Sequence, residues 1–138
     1  MEFSRTLSLV ALVFTLFIIR RFFGSGFSKM ASPQSIQRVR SLIKDNKIFV
    51  ASKTYCPYCN ATLKLLFEDK KLRKDQVLLL QLDTMKDGAE IQAALAEISG
   101  QRTVPNVYIL GEHIGGNSDL QALESSGKLD ELLKKALA

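Results

Sequence analysis

The sequence predicts an α/β domain, a four-stranded mixed sheet with helices against both faces. Three features predict it. Residues 47–52 (KIFVAS) and 77–83 (VLLLQLD) are apolar runs too short for helices and suited to buried strands. Segments of helical period precede, separate and follow them. Further on, two short strand-like runs flank a glycine, the pattern of a hairpin. A strand–helix–strand unit pairs its strands in parallel and a hairpin pairs them antiparallel, so the sheet is mixed.

The elements follow in order. Ser32-Pro33 is a helix N-cap with proline at the first helical position. Ile36, Val39, Arg40, Leu42 and Ile43 then carry an amphipathic period as far as Asp45-Asn46. The strand 47–52 leads straight into Lys53-Thr54-Tyr55-Cys56-Pro57-Tyr58-Cys59, and 61–68 (ATLKLLFE) continues as helix. After the strand 77–83, a helix spans 87–99 with Ile91, Ala94, Leu95 and Ile98 on one face, closed by Gly100. Residues 106–110 and 112–114 form the hairpin, turning at Gly111. One helix begins at Ser118 and runs to about Ser126, and Leu129, Leu132, Leu133 and Leu137 mark a last one. The order is α-β-α-β-α-β-β-α-α, with no internal repeat and no low-complexity segment.

A chain of 138 residues is one domain's worth. Its 46% hydrophobic and 24% charged content is that of a folded chain, which excludes disorder as the main state. The net charge of +5 suggests nucleic acid until its distribution is read. Arg5, Arg20, Arg21 and Lys29 face only Glu2 before Met30, so the remainder is nearly balanced. The densest basic run, Lys70, Lys71, Arg73 and Lys74, is interleaved with Glu68, Asp69 and Asp75 and reads as a solvated helix end. No nucleic-acid partner is expected.

Residues 1–29 are expected to be a targeting or anchor segment and 30–138 the folded domain. Residues 7–19 (LSLVALVFTLFII) are apolar but span only about 20 Å as a helix, short of the roughly 30 Å hydrocarbon core. Arg20 and Arg21 stop the run, although Phe22 and Phe23 extend it if the arginines snorkel. Secretory signal, membrane anchor and mitochondrial presequence all remain open. Arg21-Phe22-Phe23-Gly24 resembles a matrix-processing site, and Met30-Ala31-Ser32-Pro33-Gln34 resembles a second translation start. The expectation is therefore a mitochondrial form from Met1 and a cytoplasmic form from Met30, with the anchor and secretory entry as alternatives.

Chemistry concentrates at the two cysteines, Cys56 and Cys59. A staple closing so short a loop removes little unfolded-state entropy, which excludes a structural disulfide framework. Zinc needs four ligands, and His113 is the chain's one histidine, so no metal is expected. Cys56 falls between a buried strand and a helix. There the unpaired N–H groups and the positive end of the dipole favour a thiolate over a thiol, with Lys53 adding a cation. A Cys56 pKa well below the usual value of about 8.5 follows. Cys59, one turn on and less exposed, lies within reach of a disulfide with Cys56. One thiol attacks and the other resolves. His113, in a hairpin strand, reads as structural or surface.

Cys56-Pro57-Tyr58-Cys59, then Thr103-Val104-Pro105, then Gly115-Gly116-Asn117-Ser118-Asp119 together resemble a dithiol glutaredoxin, closest to the fungal class, over residues 33–138. The resemblance implies a thioredoxin fold and a cis bond before Pro105 that sets the Val104 backbone beside the cysteines. It implies a glutathione-dependent thiol–disulfide oxidoreductase acting on glutathionylated and disulfide-bearing proteins, with glutathione reductase recycling the cosubstrate. In it, Lys53 and Gln101 face the glycine carboxylate of glutathione, Tyr58 flanks the sulfur, and Val104 pairs with the peptide backbone. Ser118 and Asp119 open a helix whose N–H groups suit the γ-glutamyl carboxylate, while the Asp119 carboxylate takes the ammonium. Thr103, Pro105 and Asn117 complete the set, Arg102 either assists or faces solvent, and the protein is a monomer.

Three rivals remain beside this. A thioredoxin carries Gly-Pro between its cysteines and a tryptophan before the first, whereas this chain has Pro-Tyr and no tryptophan. An iron–sulfur scaffold usually has Cys-Gly-Phe-Ser or lacks the rigidifying proline, present here as Pro57. A redox-inert binding module is excluded if Cys56→Ser abolishes activity.

Overall fold

The computed structural model describes residues 30–138, so the expectations for 1–29 lie outside the described residues. Helix α1 spans Pro33–Asp45, and the Ser32 side chain caps it by accepting from Ser35 N at 3.2 Å. Strand β1 is Ile48–Ser52, and helix α2 begins directly after the four-residue loop 53–56, at Pro57–Lys64. Strand β2 is Leu78–Gln81 and helix α3 is Gly88–Ser99, ended by Gly100 in the left-handed region (φ 78). Strands β3 (Asn106–Ile109) and β4 (Glu112–Gly115) make the hairpin. Helices α4 (Asn117–Ser125) and α5 (Lys128–Leu137) complete the fold.

The sheet order is β2-β1-β3-β4. β1 pairs in parallel with β2 (Phe49 opposite Leu78) and antiparallel with β3 (Phe49 opposite Tyr108). β3 pairs antiparallel with β4. Because strand side chains alternate, β1 serves two cores at once. Ile48 and Val50, with Val107 and Ile109, pack against Leu65, Leu66, Leu120, Leu129 and Leu133. Phe49, Ala51 and Tyr108 face Val39 and Ile43 of α1 and Ile91, Ala94 and Leu95 of α3. All five residues of β1 are buried, which is why the run reads as continuous apolar sequence.

Four details depart from expectation. The second strand, expected as buried 77–83, is shorter, and its four residues are only half-buried because it lies at the sheet edge with one neighbour. Leu82–Thr84 instead tightens into a 3₁₀ turn that buries Leu82. The helix after the cysteines does not run evenly to Glu68; Leu65–Asp69 widens into a π turn, seating both Leu65 and Leu66 in the core. The basic run is not all solvated helix end, since Lys70 Nζ lies 2.6 Å from Glu124 and 2.8 Å from Asp130, tying that turn to α4 and α5. The hairpin turn takes in Leu110 (φ 54) as well as Gly111 (φ 78), so β3 ends at Ile109. Among the described residues no helix is long and apolar enough to cross a membrane.

Candidate active site

Central strand β1 delivers the loop 53–56 at one end of the sheet, and Cys56 N donates back to Lys53 O at 3.2 Å to close it. Cys56 is the N-cap of α2, with extended φ and ψ, and its Sγ accepts from Cys59 N at 3.4 Å. A sulfur thus stands where a serine or aspartate oxygen caps other helices. Burial alone pushes the Cys56 thiol pKa up. It is outweighed by the Cys59 N–H and thiol, the Tyr58 N–H and the Lys53 ammonium, so the net shift is downward, as expected. Cys59 is fully buried on α2, and that burial pushes its pKa up. Both thiols are free. Identical side chains three residues apart therefore differ in chemistry: one is ready to be an anion, the other held as a neutral thiol.

The bond before Pro105 is cis, and the Cys56 thiol donates to Val104 O at 3.8 Å. Gln101 Nε2 donates to Thr103 O (3.1 Å) and Pro105 O (2.8 Å), so its amide group shapes the loop that presents Val104. Asn117 opens α4 and is tied to α2, because the buried Thr62 Oγ1 donates to Asn117 Oδ1 at 3.0 Å. Gly116 N donates to Asp119 Oδ2 at 2.9 Å, so the Asp119 carboxylate closes the first turn of α4. Gly115 (φ 120) lets the chain pass close to Asp119, and Gly116 lies at ordinary contact distance from Pro105. A Cβ at 115 would lie 2.2 Å from Asp119 Oδ2, and one at 116 would lie 3.7 Å from Pro105 O. The start of α4 therefore lies against the 101–105 loop, and that loop against Cys56. Ser118 and Asp119 are exposed, as are Tyr55 and Tyr58 on either side of Cys56.

Two positioning contacts are absent from the sequence reading. Thr54 N donates to Asp83 Oδ1 at 3.0 Å and Thr54 Oγ1 donates to Asp83 Oδ2, which clamps the cysteine loop to the 3₁₀ turn after β2. The Thr54 hydroxyl and N–H, together with Lys53, hold the Asp83 carboxyl below its usual pKa. The other is the Thr62–Asn117 tether. His113 Nε2 sits 2.9 Å from Asn106 Oδ1 and its ring 4.9 Å from Tyr108, consistent with a structural residue. Among the described residues no group of three or more His, Cys, Asp or Glu side chains gathers to hold a metal.

Known proteins give this geometry a context. The glutaredoxin family model matches residues 48–114. Glutaredoxin-1 of Saccharomyces cerevisiae is 62% identical over 109 residues, covering 79% of this chain and 99% of that protein. The crystal structure of a buckwheat glutaredoxin–glutathione complex is similar at a TM-score of 0.68 and 41% identity, over 76% of this chain and 92% of that one. A wheat glutaredoxin crystal structure is similar at 0.69 and 43%, over 78% and 95%.

Proposed function

This chain belongs to the glutaredoxin family, and from that premise we propose that Cys56 is its nucleophile and Cys59 its resolving thiol. The fold is the thioredoxin fold and the activity that of a glutathione-disulfide oxidoreductase, with glutathione as reducing cosubstrate. The observation that carries the assignment of roles is the contrast between the two sulfurs. Cys56 Sγ accepts an N–H at the helix N-terminus, whereas Cys59 is buried with a raised pKa.

The cycle is thiol–disulfide exchange. The Cys56 thiolate attacks the glutathione sulfur of a protein–glutathione mixed disulfide. A bond forms between Cys56 and glutathione, the old disulfide bond breaks, and the protein sulfur leaves as a thiolate. The thiolate of a second glutathione then attacks the sulfur of the bound glutathione, giving oxidised glutathione and regenerating the Cys56 thiolate. This route leaves Cys59 idle. With a protein disulfide, Cys56 forms a mixed disulfide with the target, and Cys59 attacks Cys56 to release it. Two glutathiones then reduce the Cys56–Cys59 bond. The groups that stabilise the thiolate before attack also stabilise it as leaving group.

Glutathione is held, in this reading, by Lys53, Tyr58, Gln101, Thr103, Val104, Pro105, Asn117, Ser118 and Asp119. The Val104 backbone pairs with the tripeptide as an added strand would, and the α4 N-terminus receives the γ-glutamyl end. The Asp119 carboxylate keeps one oxygen for an ammonium while the other accepts from Gly116 N. Gln101 reaches the glycine carboxylate by exchanging one of its two carbonyl contacts, or else acts through the loop it braces. We place glutathionylated proteins and glutathione reductase as partners of a monomer. The catalytic domain is 30–138, with 1–29 a targeting or anchor segment that gives mitochondrial and cytoplasmic forms. Fractionation of cells making the chain with Met30→Ala tests the last point, since the cytoplasmic form should disappear.

The roles are tested by treating wild type, Cys56→Ser and Cys59→Ser with oxidised glutathione and reading intact mass. A single stable glutathione adduct on Cys59→Ser, mapped to Cys56, and none on Cys56→Ser is expected. A stable adduct on Cys59 would overturn the assignment.

A further inference from the structure

A cavity of about 320 Å³ lies apart from the cysteines, between α1, the end of α3 and the β3–β4 turn. Its lining includes Arg40, Ile43 and Lys44 of α1, Ile98 of α3, Tyr108 of β3 and Leu110 of the turn. None of these is among the proposed glutathione contacts, and the turn lies at the opposite end of β3 from Pro105. Tyr108 is the most deeply buried of them, 3% exposed, and its hydroxyl is buried without a hydrogen-bond partner. Such an orphan costs stability unless something else satisfies it. The Ser99 hydroxyl is near but already engaged: it donates to Leu95 O at 2.8 Å and accepts from Gln101 N at 3.1 Å and Asn106 Nδ2 at 3.5 Å. Burial pushes the Tyr108 pKa up, so the phenol is a neutral donor, and the Arg40 charge is felt there in the opposite sense. Arg40 and Lys44 stand one turn apart, are exposed, and form no ion pair with any described residue. Among the described residues no acid lines the cavity. Of the acids next in sequence to its lining, Glu97 accepts from Ala31 N at 2.9 Å, and Asp45 and Glu112 lie outside the lining. Leu110 (φ 54) and Gly111 (φ 78) form a two-residue hairpin turn whose first position suits asparagine or glycine. A leucine there is poorly matched to the turn, and its side chain goes to the cavity.

We propose that this cavity binds a small monocarboxylate with a single-ring apolar body. Its carboxylate accepts from the Tyr108 hydroxyl and faces Arg40 and Lys44, and its ring lies against Ile43, Ile98 and Leu110. The size, with a mostly apolar lining and a few convergent polar groups, is that of a small-molecule site. Each part of the ligand answers a part of the lining. An uncharged molecule satisfies the phenol but leaves both cations unpaired. An inorganic anion meets the cations but leaves the apolar lining wet. A polar peptide such as glutathione does the same, which separates this site from the one at Cys56. The proposal is independent of the roles assigned to the two sulfurs.

The test titrates the full chain with hydrocinnamate, and with hydrocinnamamide as its uncharged counterpart, by calorimetry and by thermal unfolding. The carboxylate should saturate a single site with Kd of about 0.1–1 mM and raise the unfolding midpoint. The amide should bind about ten-fold more weakly. Tyr108→Phe keeps the ring against Phe49 and His113 and removes only the orphaned hydroxyl. It should unfold at or above the wild-type midpoint while weakening the carboxylate about ten-fold. Leu110→Asn puts at the turn a residue that its geometry suits, so it should be no less stable while raising Kd about three-fold or more. Arg40→Gln should raise Kd by roughly two- to five-fold, the scale of an exposed ion pair. No saturation by about 10 mM, equal binding of the amide, or a Kd that Tyr108→Phe leaves unchanged overturns the proposal. A lower midpoint in Tyr108→Phe also overturns it, because the hydroxyl is then bonded within the fold. Displacement of the probe by saturating glutathione overturns it in favour of the glutathione site.

Discussion

Thr62→Val removes one oxygen from the interior and little else, which makes it a clean probe of how α4 is held against the cysteine helix. Thr62 is fully buried, and its hydroxyl donates to Asn117 Oδ1 at 3.0 Å across 55 residues of sequence. A neutral hydrogen bond of this kind contributes about 0.5–1.5 kcal/mol net. Asn117 Oδ1 is not orphaned by the change, because Gln121 Nε2 also lies 3.4 Å away, and the residue is only half-buried. The valine methyl is as well covered as the threonine one. The expected loss of unfolding free energy is therefore about 1 kcal/mol. If all of it is felt where the start of α4 meets the substrate, the ceiling on KM for a glutathione mixed disulfide is about a five-fold increase. Thr62→Ser is the control. It keeps the hydroxyl and loses a buried methyl, costing about 1 kcal/mol as well, but should leave KM at the wild-type value. Urea unfolding gives the two stabilities, and turnover at varied mixed disulfide gives the two KM values. If both variants lose the same stability and raise KM equally, the tether does not position α4 and the reasoning fails. A loss above about 3 kcal/mol in Thr62→Val would equally refute it, since that is the size of a buried orphaned group rather than of this bond.

Gly88→Ala should cost about 1–3 kcal/mol, read as a lower urea midpoint at unchanged slope, because its Cβ would stand 1.8 Å from Leu82 O. Lys53→Gln removes the smallest of the contributions that favour the Cys56 thiolate. The rising limb of activity against pH should move to higher pH, and the helix N–H groups should keep the plateau reachable. His113 has its pKa lowered by burial, against a raising influence from Asp119. The folded chain therefore prefers the neutral ring, and stability falls as pH drops below the unfolded histidine value of about 6.5. His113→Gln should flatten that part of the stability curve, measured by urea unfolding between pH 7 and 5.

What the sequence made legible was local. β1 reads as a buried strand because both its faces are apolar, α1 because Ser32-Pro33 marks its start, and the Cys56 position because strand and helix lie directly either side. The cis bond at Pro105 and the grouping of Val104 with Cys56 came from resemblance rather than from periodicity. What stayed hidden depends on pairings distant in sequence. Asp83 reads as the end of an apolar run until Thr54, 29 positions earlier, is folded against it. Thr62 reads as an ordinary helical residue until Asn117 arrives. The exposure of β2 follows from its place at the sheet edge, which hydropathy does not encode. The π turn at Leu65–Asp69, where Leu65 and Leu66 both enter the core, is not signalled by the apolar pattern, which regular helix accommodates equally well. Lys70 looks like one cation of a basic run because its partners, Glu124 and Asp130, lie more than fifty residues on.

The most direct test of the account is glutathione-dependent reduction of a mixed disulfide, coupled to glutathione reductase, for wild type, Cys56→Ser and Cys59→Ser. Turnover is expected in wild type and Cys59→Ser and none in Cys56→Ser. Turnover that survives Cys56→Ser, or that vanishes with Cys59→Ser, would contradict the division of labour between the two sulfurs.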